Sequence, residues 1–304
     1  MQEAAQIIIT NRGAALTATI TLGTPLPVDA LLLGRPLAEA AEILPRLFNL
    51  CRAAQGTAAR LALGIPLNDQ AEMLRNEILR DHMIKLLLSW PALLGLPPTP
   101  FPKTADTATA LFGPAAQMPR THAAFTEWLA AAQGAAPVLA ALRDAFAPGE
   151  AAADLLDITP ATALSLTAQE NSPALRHPGH PVLQALEATY GRGPLWRATA
   201  RLIDAETCLT GHLPVSQTLP DGTVLTPASR GTYAVRARSE NGRVTAFQRV
   251  TPTDHLLAAN GMFQASIASL PAAKRALASL VLDILDPCTP ITLTQVMAED
   301  AGNA

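Results

Sequence analysis

Apolar and polar positions along the chain follow two different periods. Residues 6–22 alternate, with β-branched side chains on both sides of Asn11-Arg12-Gly13, and this predicts a short hairpin. From Leu37 to Leu63 the spacing becomes helical in an Ala- and Leu-rich stretch, which Pro45 breaks or kinks just before Cys51. Cys51 is placed to start a helical turn. Asn68 and Asp69 are N-cap candidates for a second helix running to about Ser89, where Trp90-Pro91 is expected to end it. Prolines at 97, 98, 100, 102, 114 and 119 predict a long surface connection over 97–120. Helices are predicted near 121–133 and 136–147, an irregular stretch from Pro148 to Pro181, and further helices at about 182–190 and 194–210. Asp221-Gly222 marks a turn, and Asn241-Gly242 splits 231–250 into two β-prone runs, the strongest hairpin signal in the chain. A long helix over 254–285, interrupted at Gly261 and Pro271, delivers the chain to Asp286-Pro287-Cys288. There is no internal repeat. The pattern predicts a mostly α-helical α+β fold with small β-hairpins near both ends.

Composition narrows the functional classes. The chain has 304 residues, is 49% hydrophobic and carries a net charge of −3, so it can bury a sizeable core and lacks the basic excess that phosphate backbones or anionic membranes require. Nucleic acid and membrane are not expected partners. The N-terminus has no basic, apolar leader pattern and no apolar run approaches the length that spans a bilayer, so a cytoplasmic location is expected. Three cysteines without framework spacing point to reduced thiols. Nucleophile elbow, phosphate loop and dinucleotide fingerprint are all missing, which argues against nucleotide chemistry.

Two cysteine-bearing segments carry the candidate chemistry: Arg46-Leu47-Phe48-Asn49-Leu50-Cys51 and Asp286-Pro287-Cys288-Thr289-Pro290-Ile291. Each reads as half of a C-x-x-C pair, with Phe48 and Ile291 in place of the other thiol. They resemble the R-x-C-x-x-C and D-P-C-x-x-C-x-x-H motifs that open and close the large subunit of nickel-iron hydrogenases. Between them, Ala228-Ser229-Arg230-Gly231 stands where that subunit has A-P-R-G, and Thr251-Pro252-Thr253 where it has V-P-[ST], in the same order. The chain is therefore similar to a shortened large subunit, and is identified as resembling the HupK/HoxV family of nickel-iron hydrogenase maturation proteins.

That resemblance implies a site. Cys51 aligns with a bridging cysteine and Cys288 with the first cysteine of the C-terminal pair, so both are expected metal ligands. Arg230, Thr253 and the backbone at Pro252 are expected to hydrogen-bond the cyanides of an iron unit that carries cyanide and carbon monoxide. Soft thiolates suit such an iron, whereas nickel has lost half its sulfur donors, so transient iron without nickel is expected. Gln55 and Thr294 stand at the family's histidine positions, and the counterpart of its proton-path glutamate, Ala14-Ala15-Leu16-Thr17, has no carboxylate. The implied function is a non-catalytic scaffold or carrier of the iron unit, serving maturation chaperones and the immature large subunit. Alternatives are a metal-free interaction protein for hydrogenase assembly and a working hydrogenase. One large-subunit-like domain is expected over 1–304, with half-sites in 1–95 and 221–304 and a variable helical middle in 96–220.

Other residues have plainer readings. Arg230 can be an exposed residue at a hairpin base and Thr253 an N-cap. Cys208 reads as a small buried apolar side chain, with His212 one turn away as a possible metal partner. His82 lies on the line of Leu74, Ile78 and Leu86 and reads as a hydrogen-bonded core histidine. Glu77 and Asp81 form a like-charged pair, on a solvated face or, if buried, acting on a proton. His177 and His180 have metal-pair spacing but sit among prolines and are taken as a surface connection.

Overall fold

Ile7 and Ile9 are fully buried while Ile8 between them is exposed, the alternation of a strand with one face on a core. In the computed structural model, which describes residues 3–48, 50–67, 69–97 and 99–296, these residues belong to β1 (Ala5–Arg12), paired antiparallel with β2 (Ala15–Thr21). On its other side β1 pairs in parallel with β7 (Ile291–Val296), Ile7 opposite Leu293. The second sheet joins β3 (Gln217–Thr218), β4 (Val224–Ala228), β5 (Gly231–Glu240) and β6 (Arg243–Val250) in that order, all antiparallel. The β5–β6 turn falls at Asn241-Gly242, both at positive φ, as the sequence predicts.

Helices fill the rest. Pro45 sits in the last turn of the Leu37–Leu47 helix, and the chain restarts as Arg52–Ala62 with Cys51 at its N-cap. The predicted helix over 254–285 is divided at Gly261 and Pro271 into Pro252–Leu256, Met262–Ala268, a 3-10 stretch Ala272–Leu277 and Ala278–Leu285. At the centre the Pro194–Leu209 helix is buried along most of its length, charged residues included. It runs beside the main core, built around Trp90, Phe112, Phe125, Trp196 and Phe263. A smaller core gathers Cys51, Ala54, Ala58, Ile78, Cys208 and Tyr233.

Four expectations change. The helix begun at Gln70 does not stop at Trp90-Pro91: a π-helical turn, Ile84–Ser89, carries it into Trp90–Leu93, its wider winding accommodating the proline that would break a regular α-helix. Asp69 is its N-cap but makes no side-chain cap bond, and Asn68 lies outside the described residues. The 97–120 connection contains the Thr107–Phe112 helix, because Leu111, Phe112 and Met118 are buried and the Phe112 carbonyl accepts from Trp128 Nε1 at 2.8 Å. Finally, β7 has no counterpart among the predicted elements. Its strand state comes from its partner β1, far away in sequence.

Candidate functional site

Cys51 occupies the left-handed region (φ 53°, ψ 38°) immediately before the Arg52–Ala62 helix. The first amides of that helix, at Ala53 and Ala54, donate to the Glu77 carboxylate at 2.7 and 3.1 Å, so a neighbouring helix caps it in place of its own N-cap side chain. Burial pushes the Glu77 carboxyl above its ordinary pKa, against these two amide bonds. Glu77 is therefore a positioning group for the cysteine rather than part of a solvated face.

Arg230 comes from the tight β4–β5 turn and is buried, not exposed at a hairpin base. Its Nη1 lies 3.2 Å from Cys51 Sγ, 3.0 Å from Ser229 Oγ and 3.3 Å from Asp81 Oδ2. Its Nε donates to the Asp286 carbonyl at 2.8 Å, and Nη2 lies 3.2 Å from Asp286 Oδ1. Ser229 Oγ in turn donates to Asp81 at 2.7 Å and sits 3.6 Å from the Cys51 sulfur. One guanidinium thus touches Cys51 and the residue two positions before Cys288. Burial raises the Cys51 thiol to about 11, and the Arg230 charge works against that rise.

On the opposite arm, Thr253 Oγ1 donates to Cys288 Sγ at 3.0 Å and accepts from the Cys288 amide at 2.9 Å. Thr253 is not the N-cap of its helix. That role belongs to Thr251, which forms a capping box with Asp254 and so fixes the Thr251-Pro252-Thr253 step. Asp286 is also at positive φ (56°), and its carboxylate is shared by Arg230, Arg201 and Lys85. Burial would raise the Asp286 carboxyl, but the three cations outweigh it and hold it below the ordinary range.

The positions of the two replaced thiols are filled without metal chemistry. The Arg249 guanidinium lies 4.3 Å over the Phe48 ring and donates to Tyr233 Oη at 3.0 Å and Gln55 Oε1 at 3.3 Å. Gln55 Nε2 closes the group on the Leu50 carbonyl at 3.0 Å. Ile291 and Thr294 lie in β7, where Ile291 packs on the main core and Thr294 is exposed. Among the described residues, no three His, Cys, Asp or Glu side chains are grouped to hold a metal ion.

A second polar cluster was legible in the sequence only at His82, which is the hydrogen-bonded core histidine expected. Asp204, fully buried, accepts from His82 Nε2 at 2.8 Å, Arg176 Nε at 2.8 Å and His177 Nε2 at 2.9 Å. Burial would raise its carboxyl, but the Arg176 guanidinium and these hydrogen bonds hold it well below the ordinary range. Burial lowers the His82 pKa, and the neutral ring accepts on Nδ1 from Arg201, which leads to Asp286. His177 is therefore tied to the interior and is not part of a surface connection. The signal that was available is the spacing of Arg197, Arg201 and Asp204 on one face of an otherwise apolar helix. Cys208 is buried in the smaller core as expected, and His212 is exposed with Nδ1 at 3.0 Å from Thr210.

The chain is 50% identical over 301 residues to the hydrogenase expression/formation protein HupK of Rhodobacter capsulatus, covering 97% of this chain and 99% of that protein. No family model matches. Among solved structures it is similar to a nickel-iron-selenium hydrogenase from Desulfomicrobium baculatum in a reduced, active form, with TM-score 0.62 and 14% identity over 92% of this chain and 95% of that one. It is also similar to the nickel-iron-selenium hydrogenase of D. vulgaris Hildenborough in the reduced state, with TM-score 0.58 and 15% identity over 91% and 94%. These structural likenesses concern the fold alone. It is the mostly helical α+β fold of a hydrogenase large subunit.

Proposed function

We propose, since the chain belongs to the family of the hydrogenase expression/formation protein HupK, that it acts in forming nickel-iron hydrogenase as a cytoplasmic, non-catalytic carrier of the iron-dicyano-carbonyl unit. The iron is cargo, held by Cys51 and Cys288 and passed on to the immature large subunit with the help of maturation chaperones. The observation that supports the reading is Arg230: it contacts the Cys51 sulfur and the backbone of Asp286 together, so one side chain joins two half-sites far apart in sequence. Cyanides in a buried site need donors, and Arg230 beside Cys51, Thr253 beside Cys288 and the chain at Pro252 supply them. Nickel is not expected, because the Phe48 side is taken up by the Arg249 stack and the Ile291 side by core packing.

Loading replaces hydrogen bonds already present. The Cys51 proton must leave a buried thiol, which the adjacent Arg230 charge favours, and Thr253 must exchange its bond to the Cys288 sulfur for one to the cargo. Protein purified anaerobically after co-expression with the maturation machinery should contain iron, show cyanide and carbonyl infrared bands, and lack stoichiometric nickel. Cys51→Ala and Cys288→Ala should each abolish the bands, while Cys208→Ala should leave them intact. Bands that persist in both variants would refute the carrier. A second reading, an assembly protein that binds its partners without metal, is favoured by the satisfied hydrogen bonding of both sulfurs. It predicts normal maturation in cells that carry either cysteine variant.

A further inference from the structure

Beside Arg230 lies a small cavity of about 20 Å³, room for one water-sized or diatomic species. Neither cysteine lines it. Besides Asn171, whose Oδ1 already accepts from the Thr232 amide, its polar wall consists of Ser172, Arg197, Arg201, Arg230, Thr253 and Asp286. Three guanidiniums thus face a single carboxylate, which must serve Arg201, Arg230 and Lys85 together.

The donors there are short of acceptors. Arg197 is buried, and both of its terminal nitrogens are engaged by Glu170 at 3.0 and 2.6 Å, but its Nε has no partner among the described residues. The buried Ser172 hydroxyl has none either. Arg201, also buried, reaches Asp286 at 3.1 Å and the neutral His82 ring at 3.4 Å, and no second carboxylate pairs with it among the described residues. Burial lowers the Arg201 pKa despite the pull of Asp286, as an undercompensated interior cation requires. A buried donor without a partner costs about 1–3 kcal/mol, more when it is charged. A water can accept from two of these groups, but its own hydrogens would then meet a wall made largely of donors. An acceptor-only species fits better.

We propose that this cavity binds one small inorganic monoanion, of halide or cyanide size, held by Arg197 Nε, the Ser172 hydroxyl and the Arg201 guanidinium. Its size excludes carboxylates and phosphates, and with Glu170, Asp81 and Asp286 set against Arg197, Arg201, Arg230 and Lys85 one positive charge is left over, which a single negative charge balances.

The test uses iron-free protein, so its outcome is independent of whether the chain carries iron. Chloride linewidth is followed by halide NMR in a buffer of otherwise bulky anions, at a pH above the pKa of hydrogen cyanide, with sodium cyanide as competitor. Saturable broadening at one site per chain, removed by cyanide, is the expected result. Ser172→Ala loses a hydrogen bond to the anion and should weaken binding about tenfold. Ser172→Thr keeps the hydroxyl but fills the cavity with a methyl group and should weaken it as well. Broadening that is unsaturable, or unchanged in both variants, means an adventitious ion only and overturns the proposal. If neither variant folds, the unaltered protein decides: one saturable site emptied by cyanide upholds the anion, and any other stoichiometry or a failure of cyanide to compete overturns it.

Discussion

Arg230 cannot be exchanged for an apolar residue without leaving Asp81 and Asp286 short of a partner. Arg230→Leu should therefore destabilise the protein by about 3 kcal/mol, the lower end for breaking a buried pair, because Arg201 and Lys85 stay on Asp286. Urea unfolding measures this. Arg230→Lys keeps the charge but not the fork that reaches sulfur, serine and carbonyl together, so it should fold with a smaller loss while the cyanide bands of loaded protein move. Unchanged bands in the lysine variant would place the guanidinium outside the cargo pocket. Sequence motifs singled out Cys51, Arg230, Thr253 and Cys288 because each stands in a short, ordered string of residues. Glu77, Asp81, Arg201 and Asp204 were not legible in that way: they act across helix faces, and a helical pattern does not say which neighbour a face meets.

At the level of elements, the Thr251-Pro252-Thr253 step and the Gly231 turn hold the two walls of the pocket. Thr251→Ala removes the capping box and should cost about 1 kcal/mol in urea unfolding, with a matching loss of order at Thr253. Gly231 has φ 144°, and a Cβ there would stand 2.4 Å from the Asn171 carbonyl oxygen. Gly231→Ala should cost roughly 2–4 kcal/mol from strain and overlap, read by the same assay. Hairpins and most helices were readable because their signals are local: Asn241-Gly242 for a turn, Gly261 and Pro271 for breaks. The Thr107–Phe112 helix was hidden by flanking prolines. Strand β7 was hidden because a six-residue Ile-Thr-Leu-Thr-Gln-Val run acquires its state only from a parallel neighbour.

Across the whole molecule, buried histidines set the response to acid. His82, His180 and His255 all have pKa values lowered from 6.5, chiefly by burial. Below pH 6.5 the unfolded chain takes up protons that the folded protein refuses, so stability should fall from pH 6.5 downward and be fully present above it. Asp204 adds a further loss at lower pH, where the unfolded carboxyl takes up a proton that the folded one, held low, still refuses. Urea midpoints at pH 7.5, 6 and 5 should decrease in that order, and a flat profile would contradict the burial of these rings.

The parallel pairing of β7 with β1 has a kinetic consequence. It joins residues 5–10 to residues 291–296, a contact that must wait for nearly everything between them to be in place. The strand is short, lies at the edge of its sheet and exposes Thr292, Thr294 and Gln295, which are the marks of a segment that opens on its own at low cost. Only Thr289 and Pro290 separate it from Cys288. Its amides should therefore exchange with deuterium well before those of the Pro194–Leu209 helix, and Thr294→Val, a better strand former, should slow that exchange. The strand that docks late is then also one that lets go early, and it starts three positions beyond one of the two sulfurs, which Thr253 holds in place.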